Sequence, residues 1–179
     1  FHSVAPVPAE EWYKSYLTVP LGVFEKEIRR LTRRGYRFID LEEYCERGGR
    51  DCGEKVVCVT FDDGYRDNYV YAYPVLKKYE ARATIFVSPD YVRPSEDISL
   101  SMDDVWEGRC RYVDLESLGF LSWAEMVRML DSGLIDIQSH TMRHTKLTDS
   151  DLIRDFHNPD ADYLYPIANR FPEEKPFYP

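Results

Sequence analysis

The sequence has no excess of positive charge and no long apolar run. Its formal net charge of −9 argues against nucleic acid or an anionic membrane as partner, because a phosphate-binding surface needs clustered Lys and Arg. The one basic cluster, Arg29-Arg30 with Arg33-Arg34, is interleaved with Glu25 and Glu27 and reads as the solvated face of a helix. No stretch approaches the length of a membrane span and no signal peptide is visible, but the first residue is Phe, so the sequence reads as processed or as an excerpt. Cysteine is scarce, at four residues without metal-site spacing. Cys58 lies in an apolar run and is expected as a free core thiol, Cys110 stands apart, and Cys45 with Cys52 would close a short loop in an oxidising compartment.

What is present suits one folded domain spanning residues 1–179: 44% apolar and 15% aromatic residues can bury a core and exclude a disordered chain. The stretch Val56-Val57-Cys58-Val59-Thr60-Phe61 reads as a buried strand that ends abruptly in Asp62-Asp63-Gly64. Two adjacent acids without partners are costly to bury. They are therefore expected at the strand's open end, facing water, a cation or a substrate, where α/β folds build sites. Alone, Asp-Asp-Gly is also an ordinary turn with a helix cap. Leu134 to Ser139 reads as a second strand ending in ligand chemistry, His140-Thr141-Met142-Arg143-His144. Histidines at i and i+4 present their rings to one point, and with one carboxylate they form an N/O set suited to Zn²⁺ with an open position; Co²⁺, Ni²⁺ and Fe²⁺ fit the same donors.

Thr60-Phe61-Asp62-Asp63-Gly64 and His140-Thr141-x-x-His144 resemble the first two motifs of the polysaccharide deacetylases, the NodB-homology group of metal-dependent carbohydrate esterases. Pro74 to Tyr79 followed by Ala83 to Val87 is also similar to that family. The resemblance implies an α/β fold, a deformed (β/α) barrel, and removal of N-acetyl groups from an acetylated glycan outside the cytoplasm. It implies Asp63, His140 and His144 as metal ligands and Asp62 as general base. Two other readings stay open: an amide or imide hydrolase acting on non-sugar bonds, and a non-catalytic carbohydrate-binding domain that keeps the motifs. The family's third motif, Arg-x-Pro-aromatic, is not found, since Lys175-Pro176-Phe177-Tyr178 lacks the arginine, and the later general-acid histidine motif is absent. About five strands are countable, fewer than the seven of the family's barrel. The expectation is a domain incomplete at both ends, its N-terminal two-thirds present, and, if Pro179 is the true terminus, metal binding with little turnover.

In chain order, Phe1 to Val4 reads as the tail of a strand, and His2 either lines the sugar pocket or is a surface or capping histidine. Pro6 to Pro20 is expected as an irregular loop, Gly22 to Arg34 as an amphipathic helix stopped by Gly35, and Tyr36 to Ile39 as a short strand. Asp40 should cap a short helix through Tyr44, and Gly48 to Gly53 should be a loop. Asn68 to Tyr79 is expected as a helix kinked or restarted at Pro74, and Ala83 to Ser88 as a strand parallel to the first motif's strand. Residues 89–119 read as an insertion on the strand-end face, where Trp106, Tyr112 and Phe120 either form a sugar platform or pack their own loop. Ser122-x-x-Glu125 is a capping box for a helix from Trp123 ending near Gly133. Thr148 to Phe156 could form a capped helical turn, and His157 is either a third metal-site candidate or a loop or core histidine. The sequence leaves the oligomeric state open.

Overall fold

The structure is a computed structural model that describes residues 1–6, 17–48 and 53–144. The expectations for Cys52, for 148–156, for His157 and for Lys175 to Tyr178 lie outside the described residues, as do parts of the two loops expected at 6–20 and 48–53. Seven short strands are present among the described residues: β1 Ser3–Ala5, β2 Thr18–Pro20, β3 Arg37–Ile39, β4 Val56–Cys58, β5 Thr60–Phe61, β6 Ala83–Val87 and β7 Ile135–Ser139. All pairings between them are parallel: β1 with β2, β3 with β4, and β5-β6-β7 in order. Helices connect them, α1 Leu21–Arg33, α2 Leu41–Glu46, α3 Tyr73–Lys78, α4 Met102–Trp106 and α5 Trp123–Asp131. The molecule is thus mixed α/β with parallel strands, as expected, and no closed barrel is seen among the described residues.

The helices follow local rules. Phe24 and Ile28 of α1 are buried, and Gly35 at φ 75° ends it. The Asp40 side chain accepts from the Glu43 backbone N–H, as an N-cap should, and α2 runs on to Glu46. The Ser122–Glu125 capping box closes in both directions.

Three expectations need correction. The single strand expected over 56–61 breaks at Val59: β4 pairs with β3 while β5 pairs with β6, so one run of chain changes neighbour halfway. Within the loop expected at 6–20, Thr18–Pro20 is a strand beside β1. The helix after the first motif begins as a π-helical turn, Asn68–Ala72, before α3 takes over with Pro74 in its first turn. Proline lacks an N–H and its ring crowds the carbonyl four residues back, so the backbone widens just upstream.

The core joins these pieces. Phe24, Phe61, Ile28, Val70, Val75, Leu76, Ile85, Leu121 and Met129 are almost wholly buried, each such side chain contributing roughly 1.5–3 kcal/mol of transfer free energy. The Phe1, Phe24 and Phe61 rings meet with centroids 5.3–5.8 Å apart. This aromatic contact sets the chain around His2 against the end of β5, where the Asp62 N–H donates to the Phe1 carbonyl at 2.9 Å. A smaller cluster of Tyr65, Tyr91 and Phe120 stands apart.

Candidate metal centre

The two motifs meet at the ends of the outer strands of the parallel sheet β5-β6-β7. Asp62 and Asp63 follow β5; His140 follows β7, two strands over, with its N–H donating to the Val87 carbonyl at the end of β6. Asp63 Oδ1 lies 3.4 Å from His140 Nε2 and 3.6 Å from His144 Nε2, and one ligand atom from each of the three residues falls within 4.8 Å of the others. Of the two acids expected to face water, a cation or a substrate, Asp62 faces solvent and Asp63 faces the two histidines. The Asp62 side chain is 35% exposed, whereas that of Asp63 is 2% exposed. The chain leaves β5 at Phe61 and turns left-handed at Asp63, which sets the Asp63 carboxylate against the histidines while Asp62 stays open to solvent.

The donor set fits a cation. Asp63 Oδ1 is buried without a hydrogen-bond partner, a position that costs about 1–3 kcal/mol if nothing else satisfies it. Four-coordinate ions with ligand bonds of about 2.0–2.1 Å hold neighbouring ligand atoms roughly 3.3–3.4 Å apart, close to the two measured separations. Burial pushes the Asp63 carboxyl above the ordinary carboxylate range, the imidazoles of His144, His2 and His140 pull it back, and Asp62 adds to the rise.

The backbone is strained at this cluster of candidate donors. Among the described residues, four non-glycines have positive φ, and three are at this centre: Asp63 at 73°, Thr141 at 93° and His144 at 50°. Each such residue costs on the order of 1–3 kcal/mol and persists only where its surroundings enforce it. Thr141 supplies one local brace, its Oγ1 accepting from the His144 N–H at 2.9 Å.

His2 comes to the same place. Its Nε2 is 3.8 Å from Asp62 Oδ2, with the imidazole about as exposed as the carboxylate. A network that sequence reasoning missed holds this strand. Asp67, fully buried, accepts from Ser3 Oγ at 2.5 Å and from Asn68 Nδ2 at 2.9 Å, Thr18 Oγ1 donates to Ser3 Oγ, and Asn68 Nδ2 also donates to the His2 carbonyl at 2.9 Å. Burial pushes the Asp67 carboxyl up to about 7. A run of short polar side chains in otherwise apolar surroundings was the available signal.

The aromatic residues of 89–119 do not form a platform at the centre. Trp106 stands under the Lys78 ammonium at 5.4 Å, at the far end of α3, and Tyr112 lies against Tyr71. Phe120 is buried between Tyr65 and Tyr91. Cys58 is a free thiol but only half-buried, and Cys45 is an exposed free thiol.

Comparison with known proteins agrees with this geometry. The family model described as polysaccharide deacetylase matches residues 49–159. The chain belongs to that family. YxkH of Bacillus subtilis (strain 168), whose name places it among the polysaccharide deacetylases, is 47% identical over 73 residues, which are 40% of this chain and 26% of that protein. The poly-beta-1,6-N-acetyl-D-glucosamine N-deacetylase of Escherichia coli (strain K12) is 27% identical over 143 residues, 79% of this chain and 20% of that protein. The structure of the Streptococcus pyogenes deacetylase PplD in complex with acetate superposes with a TM-score of 0.60 at 26% identity, covering 84% of this chain and 57% of that one. The chain therefore spans only about a fifth to a quarter of the length of these two curated relatives.

Proposed function

We propose that this chain carries the metal centre and base of an N-deacetylase that removes acetyl groups from an acetylated polysaccharide. The observation that carries the reading is the buried, unbonded Asp63 oxygen facing two imidazoles, with a second, solvent-facing carboxylate next to it in the chain. Asp63, His140 and His144 would hold a divalent ion, Zn²⁺ first among those the donors suit. When bound, that ion supplies Lewis acidity for the acetyl carbonyl and lowers the pKa of water.

Asp62 faces outward, beside the ligand cluster yet outside it, where its carboxylate takes a proton from water as the water oxygen bonds to the acetyl carbon. The carbon–nitrogen bond then breaks. The departing nitrogen takes the proton held by Asp62, directly or relayed through His2, whose Nε2 lies 3.8 Å from Asp62 Oδ2. The products are acetate and a free amine.

The parallel strands and the TM-score of 0.60 support the deformed (β/α) barrel as the fold of the whole domain. The names of the relatives support a glycan over a ring imide as substrate, and a site of action outside the cytoplasm suits such a polymer. The test is metal content and acetate release from β-1,6-linked N-acetylglucosamine oligomers, for the parent and for the His140→Ala/His144→Ala variant. About one equivalent of metal in the parent, lost in the variant together with whatever acetate release the parent supports, is the expected result. A folded, zinc-supplemented parent that holds no metal would sink the reading.

A further inference from the structure

The ligand loop does not hold its own shape. Residues 140–144 include left-handed Thr141 and His144, and the internal Thr141–His144 bond spans only part of the loop. The turn after β6 makes three more contacts with it. The Asp90 N–H donates to the Met142 carbonyl at 3.1 Å, the Tyr91 hydroxyl donates to the Arg143 carbonyl at 2.5 Å, and Arg143 Nε donates to Asp90 Oδ2 at 2.5 Å.

The same turn reaches the other motif. The Tyr91 ring packs on Phe120 with centroids 5.0 Å apart, and Phe120 stacks on Tyr65 at 5.3 Å. Tyr65 follows Gly64 directly after Asp63, and the Leu121 N–H donates to the Gly64 carbonyl. The small aromatic cluster is therefore a three-ring bridge from the Asp63 turn to the histidine loop. Aromatic pairs of this kind prefer defined offsets, so the bridge fixes a distance as well as burying area.

We propose that Asp90 and Tyr91 are positioning residues for the metal centre: they hold the histidine loop in its strained conformation, and the Tyr65–Phe120–Tyr91 stack sets that loop against the Asp63 turn. The inference rests on the reading of Asp63, His140 and His144 as ligands. Neither residue touches the ion's place; each acts through the backbone that carries the imidazoles. Supporting partners of this sort, when removed, weaken metal binding by roughly 10- to 100-fold.

The test measures Zn²⁺ affinity by competition with a chromogenic chelator, alongside the thermal midpoint of the metal-free protein, for the parent, Tyr91→Phe, Asp90→Asn and the pair together. Tyr91→Phe keeps the stacked ring and removes only the hydroxyl. Weaker Zn²⁺ binding with a metal-free midpoint near the parent's supports the proposal, and partial recovery in the charge-reversed Asp90→Arg/Arg143→Asp protein strengthens it. Unchanged affinity overturns it. A fall in affinity matched by a fall in the metal-free midpoint also overturns it, in favour of a merely structural role. A parent that binds no Zn²⁺ is a distinct result and overturns the ligand reading beneath.

Discussion

Substituting Gly64 by Ala should damage both stability and the metal centre, for reasons that can be separated. Gly64 has φ 73°, and a Cβ built on it would lie 2.8 Å from Val87 Cγ1, 3.2 Å from Val87 Cβ and 3.4 Å from Val87 Cα. The left-handed backbone costs a non-glycine roughly 1–2 kcal/mol, and forcing a methyl into filled space costs about 1–3 kcal/mol. The expected loss is about 2–5 kcal/mol, a large share of the 5–15 kcal/mol typical of a domain. Val87 cannot yield cheaply, because it pairs with Ser139 in β7 and its carbonyl accepts from His140. Urea unfolding of the metal-free protein measures the loss, with the slope m checked for constancy. A cycle with Val87→Ala separates the two contributions: it should recover the overlap and leave the backbone cost. A loss below about 1 kcal/mol, or no coupling to Val87, would refute the reasoning.

Other outcomes follow from the same geometry. With burial pushing the Asp67 carboxyl up to about 7, the folded protein keeps a proton that the unfolded chain gives up near its ordinary value, so this group's stabilisation is complete at low pH and is lost as pH rises to about 7. Urea midpoints should carry that decline at about 1.4 kcal/mol per pH unit at most, and Asp67→Asn should abolish it; an unchanged slope in the variant would count against the assignment. Glu125 is wholly buried and accepts from the Ser122 and Ser99 N–H groups and from Arg93, so Glu125→Ala should cost roughly 3–5 kcal/mol, read as a fall in thermal midpoint of about 10 °C or more; a fall of only a degree or two would contradict it. Asp62→Asn should keep parental Zn²⁺ affinity while acetate release drops by about 10²- to 10⁴-fold, and loss of metal in this variant would mean that Asp62 is a ligand.

The helices were legible because their signals are local. Val23, Phe24, Ile28 and Leu31 fall at helical spacing, and the two central members are the buried pair; the Ser122–Glu125 box announces α5 four residues at a time. The break at Val59 was not legible, because a uniformly apolar run says that a strand is buried and nothing about which neighbour it pairs with. Thr18–Pro20 escaped for a different reason: three residues are too few to show alternation against the noise of a loop. The sheet they form with Ser3–Ala5 exists only because the chain returns there.

The site divides in the same way, and the division has a physical origin. Donor chemistry resides in residue identity, so the pairing of a carboxylate after one strand with two histidines at i and i+4 after another could be picked out as a candidate cluster before any fold was known, and the structure brings the three together. What makes those identities work is backbone shape, and the residues that enforce it carry no mark of it. Asp90 and Tyr91 look like the start of a loop, and Asp67 looks like a first-turn acid, yet one pair braces the histidine loop and the other residue ties the His2 strand to the first motif. Thr141 shows why such braces are needed. A β-branched residue at φ 93° is disfavoured in isolation, so its conformation needs support from contacts around it, the local bond to the His144 N–H among them. The geometry of the candidate donors therefore depends on contacts between the turn after β6 and the loop after β7.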